Sequence, residues 1–127
     1  MAFKDGKPFL LFGTPGGDVQ SQAMLQVLLN QTLFGMDIQS AIEAPRFATF
    51  SFPSSFEPHS YFPGRLNLEA RIPKETGDAL AKLGHRVEWW PDMTWRAAAV
   101  CAILVDDDKG VLHAGADPRR PAYALGW

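Results

Sequence analysis

The chain has 127 residues, 46% of them hydrophobic and 20% charged, with a formal charge of −2, which is one ordinary soluble domain and too little for two independent cores. So even a charge balance gives no electrostatic reason to expect nucleic acid or an acidic membrane as partner, and no run approaches the roughly 20 apolar residues of a membrane span. The single cysteine, Cys101, excludes an intrachain disulfide and, inside the run Ala97–Val105, reads as a buried apolar thiol. Residues Met1–Gly6 lack the apolar core of a signal peptide, and the compartment stays unassigned.

Lys4-Asp5-Gly6-Lys7 reads as a turn and Pro8–Phe12 as a buried strand. A chain that begins in a turn feeding a central strand suggests missing sequence upstream. Gly13-Thr14-Pro15-Gly16-Gly17-Asp18 follows, and apolar residues then recur at three- and four-residue steps from Val19 to Leu33, which predicts a helix. Phe34-Gly35-Met36 breaks it, Asp37 caps a short helix through Ile38, Ala41 and Ile42, and Pro45 closes that helix. Phe47–Phe52 alternates as a half-buried strand does. Between Pro53 and Gly64 lies a long loop holding Phe56, His59, Tyr61 and Phe62, too aromatic for a segment that only faces solvent, so it is expected to lie over a groove or against another segment. Leu66–Glu69 is a strand, Pro73–Leu83 an amphipathic helix with Gly84 at its C-terminal cap, and His85–Trp90 a strand. A hairpin closes the chain, with strands Ala97–Val105 and Val111–Gly115 about the turn Asp106–Gly110.

The glycine-rich turn is the best candidate for chemistry. Glycines let the backbone approach a ligand closely, and the start of a helix leaves N–H groups unpaired. Such donors suit an anion, whether bound or developing in a transition state. Plain connections of this kind are also common. Asp18 is placed to cap the helix after the turn. Asp117-Pro118-Arg119-Arg120 reads first as a structural acid–arginine pair and second as a carboxylate clamp. His59, His85 and His113 are scattered without metal-ligand spacing, and Asp106-Asp107-Asp108 reads as a solvated turn, so neither a metal nor another cofactor is expected. Trp89, Trp90 and Trp95 read as core or interface, and Ser54, Ser55 and Ser60 receive no role.

In order, the strand Asp5–Leu10, the turn Gly13–Asp18, the long helix, the break Phe34–Met36, Ala41–Phe47, the strand Gly84–Val87 and the closing Ala116–Arg120 resemble the C-terminal part of the small subunit of gamma-glutamyltransferases, also called gamma-glutamyltranspeptidases. These are N-terminal nucleophile hydrolases. The resemblance runs from Asp5 to Arg120, and Phe50–Phe52 and Tyr123–Trp127 resemble the acylase-like branch. It implies an α+β fold of the αββα sandwich type, incomplete at its N-terminal edge, with residues 1–127 forming one domain. It also implies transfer or hydrolysis of gamma-glutamyl or related acyl amides through a threonine acyl-enzyme, with the backbone N–H groups of Gly16 and Gly17 as the oxyanion hole.

The family's nucleophilic threonine lies upstream of everything in this sequence, and Thr14, Thr32, Thr49, Thr76 and Thr94 are internal. The chain alone is therefore expected not to catalyse transfer, and to self-associate as a homo-oligomer or to bind the missing segment or large subunit across its uncovered sheet. A non-catalytic binding or scaffold module is the alternative reading. Sequence upstream of Met1 in the gene separates the two.

Overall fold

The computed structural model describes residues 1–126. Its elements run β1 (Ala2–Lys4), β2 (Lys7–Gly13), α1 (Gln20–Thr32), α2 (Ile38–Glu43), β3 (Phe47–Thr49), β4 (Arg65–Glu69), α3 (Lys74–Lys82), β5 (Arg86–Trp90), β6 (Cys101–Asp106) and β7 (Val111–Ala116), with 3-10 turns at Gly17–Val19 and Trp95–Ala97. One sheet has the order β1-β2-β6-β7, all antiparallel. A second has the order β3-β4-β5, with β3 antiparallel and β5 parallel to β4. The β4–α3–β5 unit is therefore a crossover between parallel strands.

Alternation along the strands sorts each sheet into two faces. Leu10 and Ala102, and Gly115 opposite Ala102, point toward the helices. A Cβ on Gly115 would stand 2.7 Å from the Ile42 side chain, so only glycine lets α2 approach β7 this closely. In the smaller sheet Leu66 and Leu68 face α3, while Arg65, Asn67 and Glu69 share the opposite face with Trp90. The buried cluster joins these layers: Leu10 and Ala102 from the large sheet, Ala23 and Val27 from α1, Ile42 from α2 and Trp90 from β5.

Three glutamines close sheet edges with their side-chain amides. On α1, Gln22 both donates to the Thr49 carbonyl (3.1 Å) and accepts from the Thr49 amide (2.8 Å), and Gln26 repeats the pattern on Phe47 (2.9 and 3.1 Å). One turn apart on the helix, they match the two-residue spacing of the outward-facing β3 groups. On α2, Gln39 does the same for Ala116 at the end of β7 (2.9 and 3.0 Å). Each amide mimics a neighbouring strand's peptide group. The double variant Gln22→Leu/Gln26→Leu strips β3 of these partners and is expected to lower stability by about 1–3 kcal/mol per unpaired site and to promote aggregation through the opened edge. Chemical denaturation and light scattering measure the two effects.

Several sequence expectations need correction. Residues 2–4 form an edge strand, because the Asp5-Gly6 turn has positive φ at both residues and folds β1 back on β2. The strand expected over Phe47–Phe52 stops at Thr49, and after one more bond, from the Phe50 amide to the Arg65 carbonyl at 3.1 Å, the backbone leaves β4 for the aromatic loop. The first hairpin strand begins at Cys101 and not Ala97, because Ala98 takes φ 66° and breaks the extended run. Cys101 is exposed, since it lies on the sheet face turned away from the helices.

Candidate active site

The glycine turn leaves β2 where sheet pairing ends, at Gly13 opposite Cys101. Beyond that point the backbone polar groups need new partners. Thr14 supplies two: its Oγ1 accepts from the Ala99 amide at 2.8 Å and donates to the Pro15 carbonyl at 2.6 Å. Gly16 then takes φ 141° and Gly17 φ 56°, values that strain any side chain. Space is short as well, because a Cβ on Gly16 would stand 3.0 Å from Ala98 Cβ and one on Gly17 would stand 3.0 Å from the Phe56 ring.

From Gly17 the chain enters a 3-10 turn, closed by the Val19 amide donating to the Gly16 carbonyl at 3.2 Å, and runs on into α1. Among the described residues, neither the Gly16 nor the Gly17 amide donates to a protein acceptor. Consecutive free N–H groups in a left-handed turn form a concavity that favours anions. Gly17 is exposed and Gly16 half-buried. No enclosed pocket stands over the pair; the hollows beside it begin at Asp18 and Val19.

A buried charge network fixes the wall against which Gly16 rests. Arg119 grips Glu69 with Nε to Oε1 at 2.8 Å and Nη2 to Oε2 at 2.5 Å, and reaches Asp117 Oδ1 at 3.1 Å. Arg46 Nη2 lies 2.8 Å from Asp117 Oδ2. All four side chains are sealed from solvent, so two cations balance two anions, and backbone groups take most of the remaining hydrogen bonds. Burial and the neighbouring Arg119 lower the Arg46 pKa. In Arg119 burial acts the same way, but Glu69 and Asp117 outweigh it and raise the pKa.

The network's backbone contacts bracket Ala98, with Arg46 Nη1 donating to the Ala97 carbonyl (3.0 Å) and Asp117 Oδ2 accepting from the Val100 amide (2.9 Å). Ala98 touches Gly16 and Ala99 holds Thr14, so the network sets the position of the glycine turn. Asp117 and Arg119 thus form the structural pair read from the sequence. Arg46 and Glu69 were missed, although a glutamate ending the apolar strand Leu66–Leu68 and an arginine between Pro45 and Phe47 were visible signals of a buried pair.

Asp18 does not cap α1. Its Oδ2 accepts from the Ser55 amide at 3.0 Å, tying the aromatic loop to the residue after the glycine pair and laying Phe56 on Gly17. This fulfils the expectation that the loop covers another segment. Hydrogen bonds from Ser55 hold the Asp18 carboxyl below the usual carboxylate range. A depressed carboxyl favours the clamped state above its unfolded value of roughly 3.9, and that contribution is lost as pH falls through the lower folded value. Asp18→Ala is expected to speed amide exchange at Ser55 and Phe56 at neutral pH, and the wild type to approach that behaviour only on strong acidification.

Trp90 is core, whereas Trp89 and Trp95 are 43% and 59% exposed. Asp106 accepts from the Lys109 amide (3.1 Å) and from its ammonium (2.9 Å), making a closed turn. Among the described residues no group of three His, Cys, Asp or Glu side chains is placed to hold a metal.

Sheets flanked by helices, with a glycine pair presenting free amides between a sheet strand and a helix, define an α+β fold of the N-terminal nucleophile hydrolase type. The gamma-glutamyltranspeptidase family model matches residues 1–127, and the chain belongs to that family. It is 34% identical over 99% of its length to a glutathione hydrolase-like proenzyme of Bacillus subtilis, YwrD, of which it covers 23%. A mutant of the Helicobacter pylori gamma-glutamyltranspeptidase superposes with TM-score 0.75 at 31% identity, covering 94% of this chain and 58% of that one. The cephalosporin acylase of Bacillus halodurans gives TM-score 0.77 at 28% identity, covering 91% of this chain and 19% of that one. The chain thus spans about a quarter of the length of the curated relative.

Proposed function

We propose that this chain is the C-terminal part of the small subunit of a gamma-glutamyltransferase-like enzyme, one domain over residues 1–127, and that it supplies the oxyanion hole of an acyl-transfer site through the Gly16 and Gly17 amides. The observation that carries this reading is the pair of unpartnered N–H groups at positive φ, held by Thr14, Ala98 and the buried charge network. A carbonyl of a gamma-glutamyl or related acyl amide, attacked by a threonine, develops its negative charge there, and the two amides stabilise it without reorganising. A segment carrying that threonine completes the site.

The open face of the large sheet supports the need for such a segment. Leu11 pairs with Ile103 and Ile103 with Ala114, all on the side away from α1 and α2, and they border an open hollow of about 460 Å³ together with Tyr123 and Leu125. A sheet that packs on one face only leaves such residues in water.

The test is complementation. A family proenzyme shortened before the region matching residues 1–127 is combined with this chain, and release of p-nitroaniline from gamma-glutamyl-p-nitroanilide is followed. Release that requires both parts supports the reading. Release by the chain alone overturns the expectation that its nucleophile lies elsewhere. A folded, stable complex without release favours the scaffold alternative, as does a stop codon directly preceding Met1 in the gene.

A further inference from the structure

Beside the glycine turn, reached through Val19, lies an open groove of about 420 Å³ between the polar face of the β3–β4–β5 sheet and the 3-10 turn at Trp95–Ala97. Its floor carries Arg65, Asn67 and Glu88, its walls carry Phe50, Trp90 and Trp95, and Arg96 lies at its border. Two buried polar atoms on this floor have no partner: the Arg65 Nε and the Asn67 Oδ1. One is a donor on a cation, the other a neutral acceptor. They sit two residues apart on one face of β4, about 7 Å between Cα atoms by strand geometry.

Arg65 is unusual among the arginines of this protein. Its guanidinium carbon lies over two rings, 3.9 Å from the Phe62 centroid and 4.3 Å from that of Phe50. Two cation–π contacts restrain the guanidinium but satisfy none of its N–H donors, which still need an acceptor. Among the described residues no carboxylate pairs with it and no hydrogen bond leaves its side chain. The acids that share its hollows bond elsewhere, Glu88 Oε2 with the Asn67 Nδ2 at 3.2 Å and Asp18 Oδ2 with the Ser55 amide at 3.0 Å. Asn67 is 4% exposed. With its Nδ2 committed to Glu88, its amide is oriented so that Oδ1 stays free.

We infer that this groove binds a small molecule carrying a carboxylate next to an N–H donor, as in an N-acylamino acid or the C-terminal residue of a peptide, with the carboxylate on the Arg65 guanidinium and the N–H on the Asn67 Oδ1. A planar, pre-oriented guanidinium edge matches the two oxygens of a carboxylate. A ligand N–H satisfies the buried acceptor in the groove that the fold leaves unpaired. The rings of Trp90 and Trp95 supply apolar walls on either side. Binding here does not depend on the acyl-transfer reading. If that reading holds, the groove adjoins the oxyanion turn and receives the end of a substrate that bears the carboxylate.

The test is direct binding to the full chain, read from the arginine Nε–Hε and asparagine Nδ2 resonances by NMR. N-acetylglycine is the probe, with acetate carrying only the carboxylate and N-acetylglycinamide only the amide. N-acetylglycine is expected to shift the Arg65 Nε–Hε resonance saturably, and to bind at least tenfold more tightly than either partial probe. Arg65→Gln is expected to lose at least tenfold in affinity, and Asn67→Leu to bring N-acetylglycine down to the affinity of acetate. Near-UV circular dichroism confirms that each variant keeps its packing, and the wild-type titration stands even if a variant fails to fold. Equal shifts with the neutral amide, a response that never saturates, or unchanged affinity in folded Arg65→Gln overturns the assignment and leaves the two atoms to ordered water. None of these readouts needs turnover, so failure here is separate from failure of complementation.

Discussion

Arg119→Met is expected to destabilise the protein by about 3–5 kcal/mol, the cost of leaving buried charge without its partner. Arg119 is the hub of the interior network, because its guanidinium holds Glu69 at two oxygens and Asp117 at one, and also donates to the Ile42 and Ala44 carbonyls at 3.0 and 2.9 Å. Its removal leaves two carboxylates facing Arg46 alone, and strands the Ala44 carbonyl at the end of α2, while the Ile42 carbonyl keeps Arg46 Nη2 at 2.6 Å. Methionine fills much of the volume, so the loss is electrostatic and not a cavity effect.

The comparison variant is Lys7→Met. That residue pairs with Asp107 at 2.8 Å, but both side chains are more than half exposed, at 71% and 51%. An exposed pair of this kind contributes about 0–1 kcal/mol. Urea denaturation of both variants measures the contrast, and an Arg119→Met midpoint close to that of Lys7→Met would show that the network is not the anchor described above. Because the network brackets Ala98, loss of Arg119 is also expected to broaden the Gly16 and Gly17 amide resonances even where the variant remains folded.

The second large effect concerns Gly16→Ala in the complemented enzyme, where turnover is expected to fall by about 10²–10³, the loss seen when one oxyanion donor is removed. Alanine keeps the N–H, so the effect acts through geometry. At φ 141° a side chain is strained, and its Cβ meets the Ala98 Cβ and Cα at 3.0 and 3.3 Å. Backbone on both sides resists, Ala98 because the charge network holds its neighbours and the glycine turn because Thr14 anchors it. The amide must therefore rotate or shift, and an oxyanion donor is sensitive to both.

Gly110→Ala is the control. It also has positive φ, at 65°, but nothing lies within 4 Å of its added Cβ and it sits in the β6–β7 turn. It is expected to cost stability of order 1 kcal/mol and no turnover. Full activity in Gly16→Ala would remove Gly16 from the proposed oxyanion hole.

Much of this was legible along the chain because it depends on local chemistry. The periodicity of Val19–Leu33 reports α1, and Asp37 accepts from the Ser40 amide at 3.0 Å as a helix cap should. Gly84 follows α3 with φ 99° as a helix-terminating glycine does. The glycine pair was visible for the same reason, since a strand, two adjacent glycines and a helix start are consecutive residues whose backbone needs can be read together. The order of these motifs was enough to reveal the family.

What stayed hidden depends on which residues meet across long separations. Cys101 looked buried because its neighbours are apolar, but the alternation of β6 turns it to the uncovered face, a matter of register. Asp18 looked like a helix cap, and instead reaches Ser55, 37 residues along the chain. Gln22 and Gln26 lie between the apolar positions of α1, and nothing along the chain shows that their side chains complete the edge of β3.

The sequence by itself determined the helices and most of the strands, the family and the two glycines whose amides are in question, because backbone conformation and capping are largely properties of adjacent residues. Only the tertiary structure decided that those amides are unpaired, that Ala98 and a four-charge network hold them in place, and that Arg65 and Asn67 share one groove. Those facts concern desolvation and pairing between residues far apart in the chain, and a buried polar atom has or lacks a partner only once the whole fold has closed around it.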